Sequence, residues 1–478
     1  MADTCNTQKV HYLPALRLTT VSFDPTPDDL LVSLLHRGQR IEYWRRFETG
    51  PAARWRTFNR FPVVRDADGS PWAPACMWLL DRAKANPAGV ESLVPISQDL
   101  QAYQAFLREE NKAWDDFSAV ETYSRPTYLF KPYLESLVRS GRISGSVARR
   151  RMRSVIGMYR FLMSEPCMGF RPLNPPWIEH RIGWKNTDVT GLPRTGISVS
   201  TNLTIRHSGV VRERPDTLDD GGKLRPLSAE EQACVIKALH RLGNPEHLNM
   251  HLTALLTGAR EATVTTLRVG LFLASPAAIS QWPYKILCGP GTGIDTKRNV
   301  RGKYLLVSRE LYKKLHIYAH SDRAKRRRAK SLLKEDPFNY LFLSRGGKPF
   351  HPSKEDRLRA PDVDTAPRKS VASGQALRDF IARRVIPLVR YRFPNFHYTF
   401  HDLRATFGMN FVDENLDGRL AGQDYQLVRE DLRKLMWHAS ASTTDMYLKY
   451  RENHRHLARA RDGWSRRLLE LANSGVHS

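Results

Sequence analysis

Four short patterns in the second half of the chain bring together arginine, lysine, histidine and tyrosine. These side chains grip an anion and move protons beside it. In HLTALLTGAREATVTTLRVG (251–270) an apolar helix is expected to end at Thr257-Gly258, with Arg260 directly after it. Gly258 permits the tight backbone that turns Arg260 inward, and a guanidinium offers planar, forked donors to two phosphate oxygens. Taken alone, the same arginine reads as a helix C-terminal cap. In GTGIDTKRNVRGKYLLVS (291–308) Ile294 precedes a polar turn and Tyr304-Leu305-Leu306-Val307 follows it. That is the pattern of a β-hairpin with Lys297 near its tip. A lysine there can protonate a leaving oxygen, and Lys303 competes for the role. In YTFHDLRATFGMNF (398–411) His401 and Arg404 are three apart and share a helix face, while Phe400, Leu403, Phe407 and Phe411 suit the buried side. In LRKLMWHASASTTDMYLKY (432–450) His438 follows a short apolar stripe, Ser442-Thr443-Thr444 suits a helix N-cap, and Tyr447 shares a face with Tyr450. A phenol titrates near ~10, so Tyr447 needs activation to attack a phosphate. Clustered arginines supply it by favouring the phenolate and neutralising developing charge.

The elements around these patterns divide the chain. Residues 1–90 mix Trp44, Trp55, Trp72 and Trp78 with proline and arginine, an N-terminal extension whose fold the pattern does not name. Residues 91–180 read as helical. Leu100, Tyr103, Phe106 and Leu107 make one apolar stripe, and Tyr128, Leu129, Tyr133, Leu134 and Leu137 a second. After the turn SGRISGS a third runs through Val147, Met152, Val155, Ile156, Tyr159 and Leu162. The opposite face of that last helix carries Arg149, Arg150, Arg151 and Arg153 and is expected to meet DNA backbone phosphates. Residues 181–222, rich in proline, glycine and threonine, read as a linker. Ser228 and Glu231 have capping-box spacing and open the last domain, 223–478. Ala233, Ile236, Ala238 and Leu239 are its first expected core positions, and an amphipathic helical tail over 449–472 closes it.

The chain has 478 residues, with 75 Lys and Arg against 49 Asp and Glu, a formal charge of +26. Such an excess favours a polyanion, because each neutralised phosphate releases counterions. Five scattered cysteines of odd count suggest reduced thiols rather than a disulfide framework or a zinc site. No apolar run approaches the ~20 residues of a membrane span, and the first residues lack a signal-peptide core. The expectation is a cytoplasmic protein with no membrane partner.

Together TGAR, TK in a hairpin, HDLR, and a histidine nine residues before a tyrosine resemble the tyrosine recombinase (phage integrase) family over 223–460. The helical segment with SGRISGS resembles that family's core-binding domain. The resemblance implies a mostly α fold with a small antiparallel β-sheet: a helical, SAM-like core-binding domain followed by an α+β catalytic domain. It also implies a site-specific recombinase of a mobile element. Tyr447 would form a 3′-phosphotyrosine, Arg260 and Arg404 would hold the non-bridging oxygens, and Lys297 or Lys303 would protonate the 5′ oxygen. His401 would help take the tyrosine proton and His438 would support the phosphate. Double-stranded DNA is the implied partner, bound by a homotetramer on two sites, with accessory proteins unspecified and no cofactor or metal. The chain departs from the pattern at Thr263, where an acidic residue is usual three positions after the arginine, and at Trp437, where glycine is common. Segments 319–337 and 418–426 look inserted. Two rival readings are a catalytically inactive DNA-binding protein of the same fold and a type IB topoisomerase-like enzyme.

Overall fold

The computed structural model describes residues 10–18, 20–22, 30–36, 39–46, 57–86, 90, 92–164, 170–187, 193–205, 217–220, 222–297, 301–358, 374–416 and 422–452. The chain forms two compact units. Among the described residues one gathers 10–187 and 193–205, and the other 217–356 and 374–452.

In the first unit, β1 (His11–Arg17) pairs antiparallel with β5 (Thr57–Val63). β2 (Thr20–Ser22), β3 (Leu30–His36) and β4 (Gln39–Arg46) form a separate antiparallel sheet in the order β2-β4-β3. The helices are α1 (Ala73–Ala85), α2 (Leu93–Glu109), α3 (Pro126–Arg139) and α4 (Gly145–Ser164). The expected stripes do become core. Leu100, Tyr103, Phe106 and Leu107 of α2 meet Met152, Val155, Tyr159 and Leu162 of α4, and all eight are buried. The hydroxyls of Tyr103 and Tyr159 lie 2.9 Å apart, which satisfies two polar groups inside an aromatic cluster. Gly157 of α4 sits beneath the Trp78 indole, where a Cβ would lie 2.7 Å from the ring. Trp72 and Trp78 therefore belong to the helical core. Residues 181–222, expected as a linker, hold most of a hairpin of β6 (Glu179–Thr187) and β7 (Pro193–Thr201) and the strand β8 (Leu218–Asp219).

The second unit begins at β8, which pairs with β9 (Lys223–Leu224). The capping box forms as read. Ser228 accepts from the Glu231 backbone amide, and the Glu231 carboxylate from that of Ser228, starting α5 (Ala229–Arg241). Ala238 and Leu239 are buried as expected and Ile236 packs against them, but Val235 takes the core place expected of Ala233, which is exposed. Next come α6 (Pro245–Thr257), capped by Asn244, and α7 (Glu261–Thr265). β10 (Tyr284–Cys288) pairs antiparallel with β11 (Lys303–Val307). The hairpin's first strand thus ends before Ile294, which makes only a single bridge to Gly289. α8 (Arg309–His320) and α9 (Asp322–Ala329) follow. The stretch 319–337 is built into the unit: Arg323 and Arg327 pair with the fully buried Glu246 at the start of α6, and Arg328 with Glu335. After α10 (Lys354–Leu358), α11 (Gln375–Phe380) runs through a π turn at 381–385 into α12 (Ile386–Arg390). α13 (Asp402–Leu416) packs on α6 and on α14 (Gly422–Leu435), and a last helix, α15, covers 441–452. Of the expected insertion 418–426, residues 422–426 open α14 and the rest lies outside the described residues. So does the tail beyond 452.

The fold is mostly α. Its strands form several separate two- and three-stranded antiparallel sheets rather than the one small sheet expected. Among the described residues no helix is long and apolar enough to cross a membrane.

Candidate active site

α6 ends as its sequence requires. Gly258 takes the left-handed conformation (φ 67°), and a Cβ there would lie 2.5 Å from the Phe407 ring of α13. The chain turns extended at Arg260, which becomes the N-cap of α7. On α13 Arg404 is almost fully buried, and each of its nitrogens has a partner. Nη1 donates to the Gly258 carbonyl at 2.6 Å, Nη2 to the Met436 carbonyl, and Nε to Asp220 Oδ2 at 2.9 Å. Arg404 thereby ties the ends of α6 and α14 to one carboxylate. Asp402 holds the start of α13, accepting from the Thr399 amide (2.7 Å) and the Arg225 amide (2.9 Å).

The same carboxylate gathers the other expected residues. His438 Nε2 is 3.2 Å and the Tyr447 hydroxyl 3.1 Å from Asp220 Oδ2. Arg260 Nη2 lies 3.9 Å from Asp220 Oδ1, and His401 Nε2 3.4 Å from the Asp220 carbonyl. The rings of His438 and Tyr447 stack at 5.7 Å. His438 Nδ1 meets the buried Thr444 hydroxyl at 2.9 Å. Tyr447 is fully buried, and its ring lies over Gly408 of α13, where a Cβ would meet it at 2.4 Å. Four expected side chains from three stretches of chain thus face one carboxylate, and His401 faces the backbone carbonyl of the same residue. Lys297 is exposed on the loop between β10 and β11, and Lys303 opens β11 opposite Cys288. The Trp437 indole donates to the Tyr304 carbonyl of β11 at 3.1 Å and joins that hairpin to the turn before His438. Trp437 itself has φ 55°, the left-handed conformation that glycine adopts without strain.

The electrostatics follow from this packing. Burial raises the Asp220 carboxyl, but the hydrogen bond from His438 and the charge of Arg404 outweigh it and hold it far below the usual carboxylate range. Burial and the neighbouring Arg404 push Arg260 down to about 10, partly opposed by Asp220. Burial also lowers His401 and His438, so both are neutral near pH 7. With Nε2–H of His438 donating to Asp220, its Nδ1 is free to accept from Thr444. Burial, then the Asp220 charge, lifts the Tyr447 phenol well above its ordinary value, against the pull of the two arginines. In this arrangement the tyrosine is a hydrogen-bond donor to Asp220. Arg260 Nε is buried and has no hydrogen-bond partner.

Asp220 is the residue the motifs missed. It lies 184 positions before Arg404 and 227 before Tyr447, inside the segment read as linker. The four arginines expected on DNA divide. Arg150, though exposed, makes two 3.0 Å hydrogen bonds to the buried Asp99 of α2, and Arg151 lies 3.9 Å from the same carboxylate; Arg149 and Arg153 are exposed as well. A carboxylate removed from water needs a cation beside it, and α4 supplies two of its arginines to that end. Among the described residues no group of three or more His, Cys, Asp or Glu side chains is placed to hold a metal.

No protein-family model matches this chain, and no curated protein does. Among solved structures it is similar to the Tn1549 transposon integrase in complex with circular intermediate DNA. The identity is 13% and the TM-score 0.42, over 78% of this chain and 94% of that one. A single-substitution variant of that integrase, in complex with transposon right end DNA, gives 14% identity and a TM-score of 0.42 over 80% and 99%.

Proposed function

We propose that this chain is a site-specific DNA recombinase of the tyrosine type, serving a mobile element. One observation carries the reading: Arg260, Arg404, His438 and Tyr447 converge on one buried anion position, with His401 against the backbone carbonyl of the same residue. Two guanidiniums, two neutral imidazoles and a phenol match the demands of a phosphoryl transfer without a water nucleophile. The arginines take the non-bridging oxygens of the scissile phosphate and stabilise the charge that grows on them. The Tyr447 oxygen forms a bond to phosphorus as the bond to the 5′ oxygen breaks. The phenolic proton passes to neutral His401, and Lys297 or Lys303 protonates the departing 5′ oxygen. The product is a 3′-phosphotyrosine and a free 5′-hydroxyl. Because the ester is conserved, a 5′-hydroxyl of a second duplex reverses the step and exchanges strands. No cofactor enters this scheme.

The +26 charge supports duplex DNA as the substrate. Exchange between two duplexes calls for a tetramer, in which the residues beyond 452 would join neighbouring copies. Arg149 and Arg153 of α4 supply backbone contacts. A second reading, a DNA-binding protein that no longer cuts, is favoured by one observation: Tyr447 is buried and bound to Asp220.

Covalent trapping decides between them. The protein is incubated with DNA from the junctions of its own locus, nicked so that the 5′ fragment diffuses away, and run on denaturing gels. A DNA-linked band lost in Tyr447→Phe is the expected result. No band on verified junctions would select the silent binder, and a band that survives the substitution would move the nucleophile to another residue, Tyr450 first.

A further inference from the structure

We infer that the Asp220 carboxylate is an internal stand-in for the DNA phosphate: it occupies the anion seat and must withdraw, with the turn between β8 and β9, before a phosphate can enter. The inference rests on the function proposed above for the same site. Its first support is the identity of the donors. Asp220 Oδ2 takes Arg404 Nε at 2.9 Å, the Tyr447 hydroxyl at 3.1 Å and His438 Nε2 at 3.2 Å, and Oδ1 faces Arg260 Nη2 at 3.9 Å. Each is a group that the phosphate itself would need.

The second support is space and charge. Asp220 is 3% exposed, Arg404 1% and Tyr447 0%, so the seat is filled. The carboxyl is held in its ionised form by the groups around it. A phosphodiester entering beside it would add a second anion to a buried site, and like charges at such range repel strongly. The two must therefore alternate.

The third is an imperfect fit. Arg260 Nε is buried without a partner, although the charge of Asp220 lies nearby. A carboxylate offers four donor groups two oxygens in one plane, whereas a phosphodiester sets two non-bridging and two bridging oxygens in a tetrahedron. The seat has donor capacity that Asp220 leaves unused, as expected of a substitute rather than the intended occupant.

The fourth is that the element carrying Asp220 is held by little backbone pairing. β8 and β9 pair through only two residue pairs, Leu218 with Leu224 and Asp219 with Lys223. Leu218 and Leu224 anchor the turn in the core cluster that also contains Tyr447, Met436 and Leu432. Two apolar anchors and so short a ladder form a unit of low local stability. Its release would free Arg404, His438 and Tyr447 together.

The test uses the full-length protein, inorganic phosphate and trapping DNA. Asp220→Asn removes the competing charge and keeps the shape. Titration calorimetry is expected to show phosphate binding to Asp220→Asn at least about tenfold tighter than to wild type, because the closed population no longer taxes affinity. Phosphate should also raise the melting temperature of the variant and leave that of wild type nearly unchanged. Leu224→Ala retains the carboxylate but loosens its anchor. It should show a smaller gain in the same direction, and it carries the test if Asp220→Asn does not fold. Equal phosphate affinity in wild type and folded variants overturns the inference. So does loss of the DNA adduct in Asp220→Asn with phosphate affinity unchanged, which would make Asp220 a permanent positioning residue. If the phosphate gain appears but no protein traps DNA, the stand-in survives and the recombinase reading falls. If wild type traps DNA and no gain appears, the reverse holds.

Discussion

Gly408→Ala sets helix propensity against the position of Tyr447, the proposed nucleophile. Gly408 lies in the middle of α13, where alanine is normally favoured by about 1 kcal/mol. Its Cβ, however, would lie 2.4 Å from Cε1 and 2.7 Å from Cδ1 of Tyr447, and 3.0 Å from the Met436 sulfur. Carbon atoms settle at about 3.5 Å or more, so the ring must retreat by about 1 Å. It has little room, because Met409, Val412, Leu432 and Leu448 fill the same core around it. Overpacking of this kind costs about 1–3 kcal/mol, and the helical gain offsets part of it. The net loss of stability is then between about 0 and 2 kcal/mol. Chemistry is far less tolerant, since about 1 Å of misplacement costs about a hundredfold in rate. Urea unfolding and adduct formation on nicked DNA, measured on one preparation, separate the two effects. The expected outcome is a folded Gly408→Ala variant that forms adduct about a hundredfold more slowly. A variant that gains the full helical increment and traps DNA at the wild-type rate would refute the placement of Tyr447.

Further substitutions probe other parts of the fold. Trp437→Gly relieves a left-handed backbone worth about 1 kcal/mol but loses the indole bond to Tyr304 and its packing. It should destabilise by about 1–2 kcal/mol in urea, and a more stable variant would remove any role for the indole. His251 is fully buried between the His247 carbonyl (2.6 Å) and the Tyr398 hydroxyl (3.0 Å), and burial lowers it to about 4. The unfolded chain therefore binds this proton first, and stability is lost as pH falls from about 6.5 to about 4, by roughly 3 kcal/mol in all. His251→Gln should flatten that part of the pH–stability curve, and an unchanged slope would count against a neutral His251. On α4, Arg149→Ala with Arg153→Ala should lower the salt slope of DNA binding by about 2 and leave melting unchanged. Arg150→Ala should instead lower the melting temperature, because it strips a partner from buried Asp99. Equal effects of the two variants on salt dependence would deny that division.

The helices of the first unit were legible because their period is strong. The stripes of α2, α3 and α4 recur at i, i+3 and i+4 and bury almost as read. The capping box at Ser228 and the turn at Gly258 are local chemistry that needs no tertiary knowledge. The first 90 residues were not legible, since their strands are paired out of chain order. β1 reaches across three strands to β5, and no alternation within one strand discloses such a partner. Ala233 misled because an alanine carries little periodic signal, and the face was decided by Val235 one turn-fraction away.

The candidate site was legible in its hydrogen-bond donors and illegible in its anion, for a physical reason. A motif is a local spacing, and Arg260, His401, Arg404, His438 and Tyr447 each announce themselves within a few residues of a helix end. Their charge balance has no such locality. Two guanidiniums drawn into a core require a counter-charge, but any chain segment can bring it. The position three beyond Arg260, where the resemblance would place an acid, holds Thr263, whose buried hydroxyl donates to the Asp295 carbonyl at 2.8 Å. Glu261, the acid nearest Arg260 in sequence, turns to Arg378 at 3.4 Å. Neither neutralises the pair. The charge comes from Asp220, in a stretch whose composition reads as linker and whose two-residue strand has too few residues to show a period. Under the proposed function the same demand accounts for a carboxylate where the phosphate would sit: two buried guanidiniums need an anion beside them, and Asp220 supplies it.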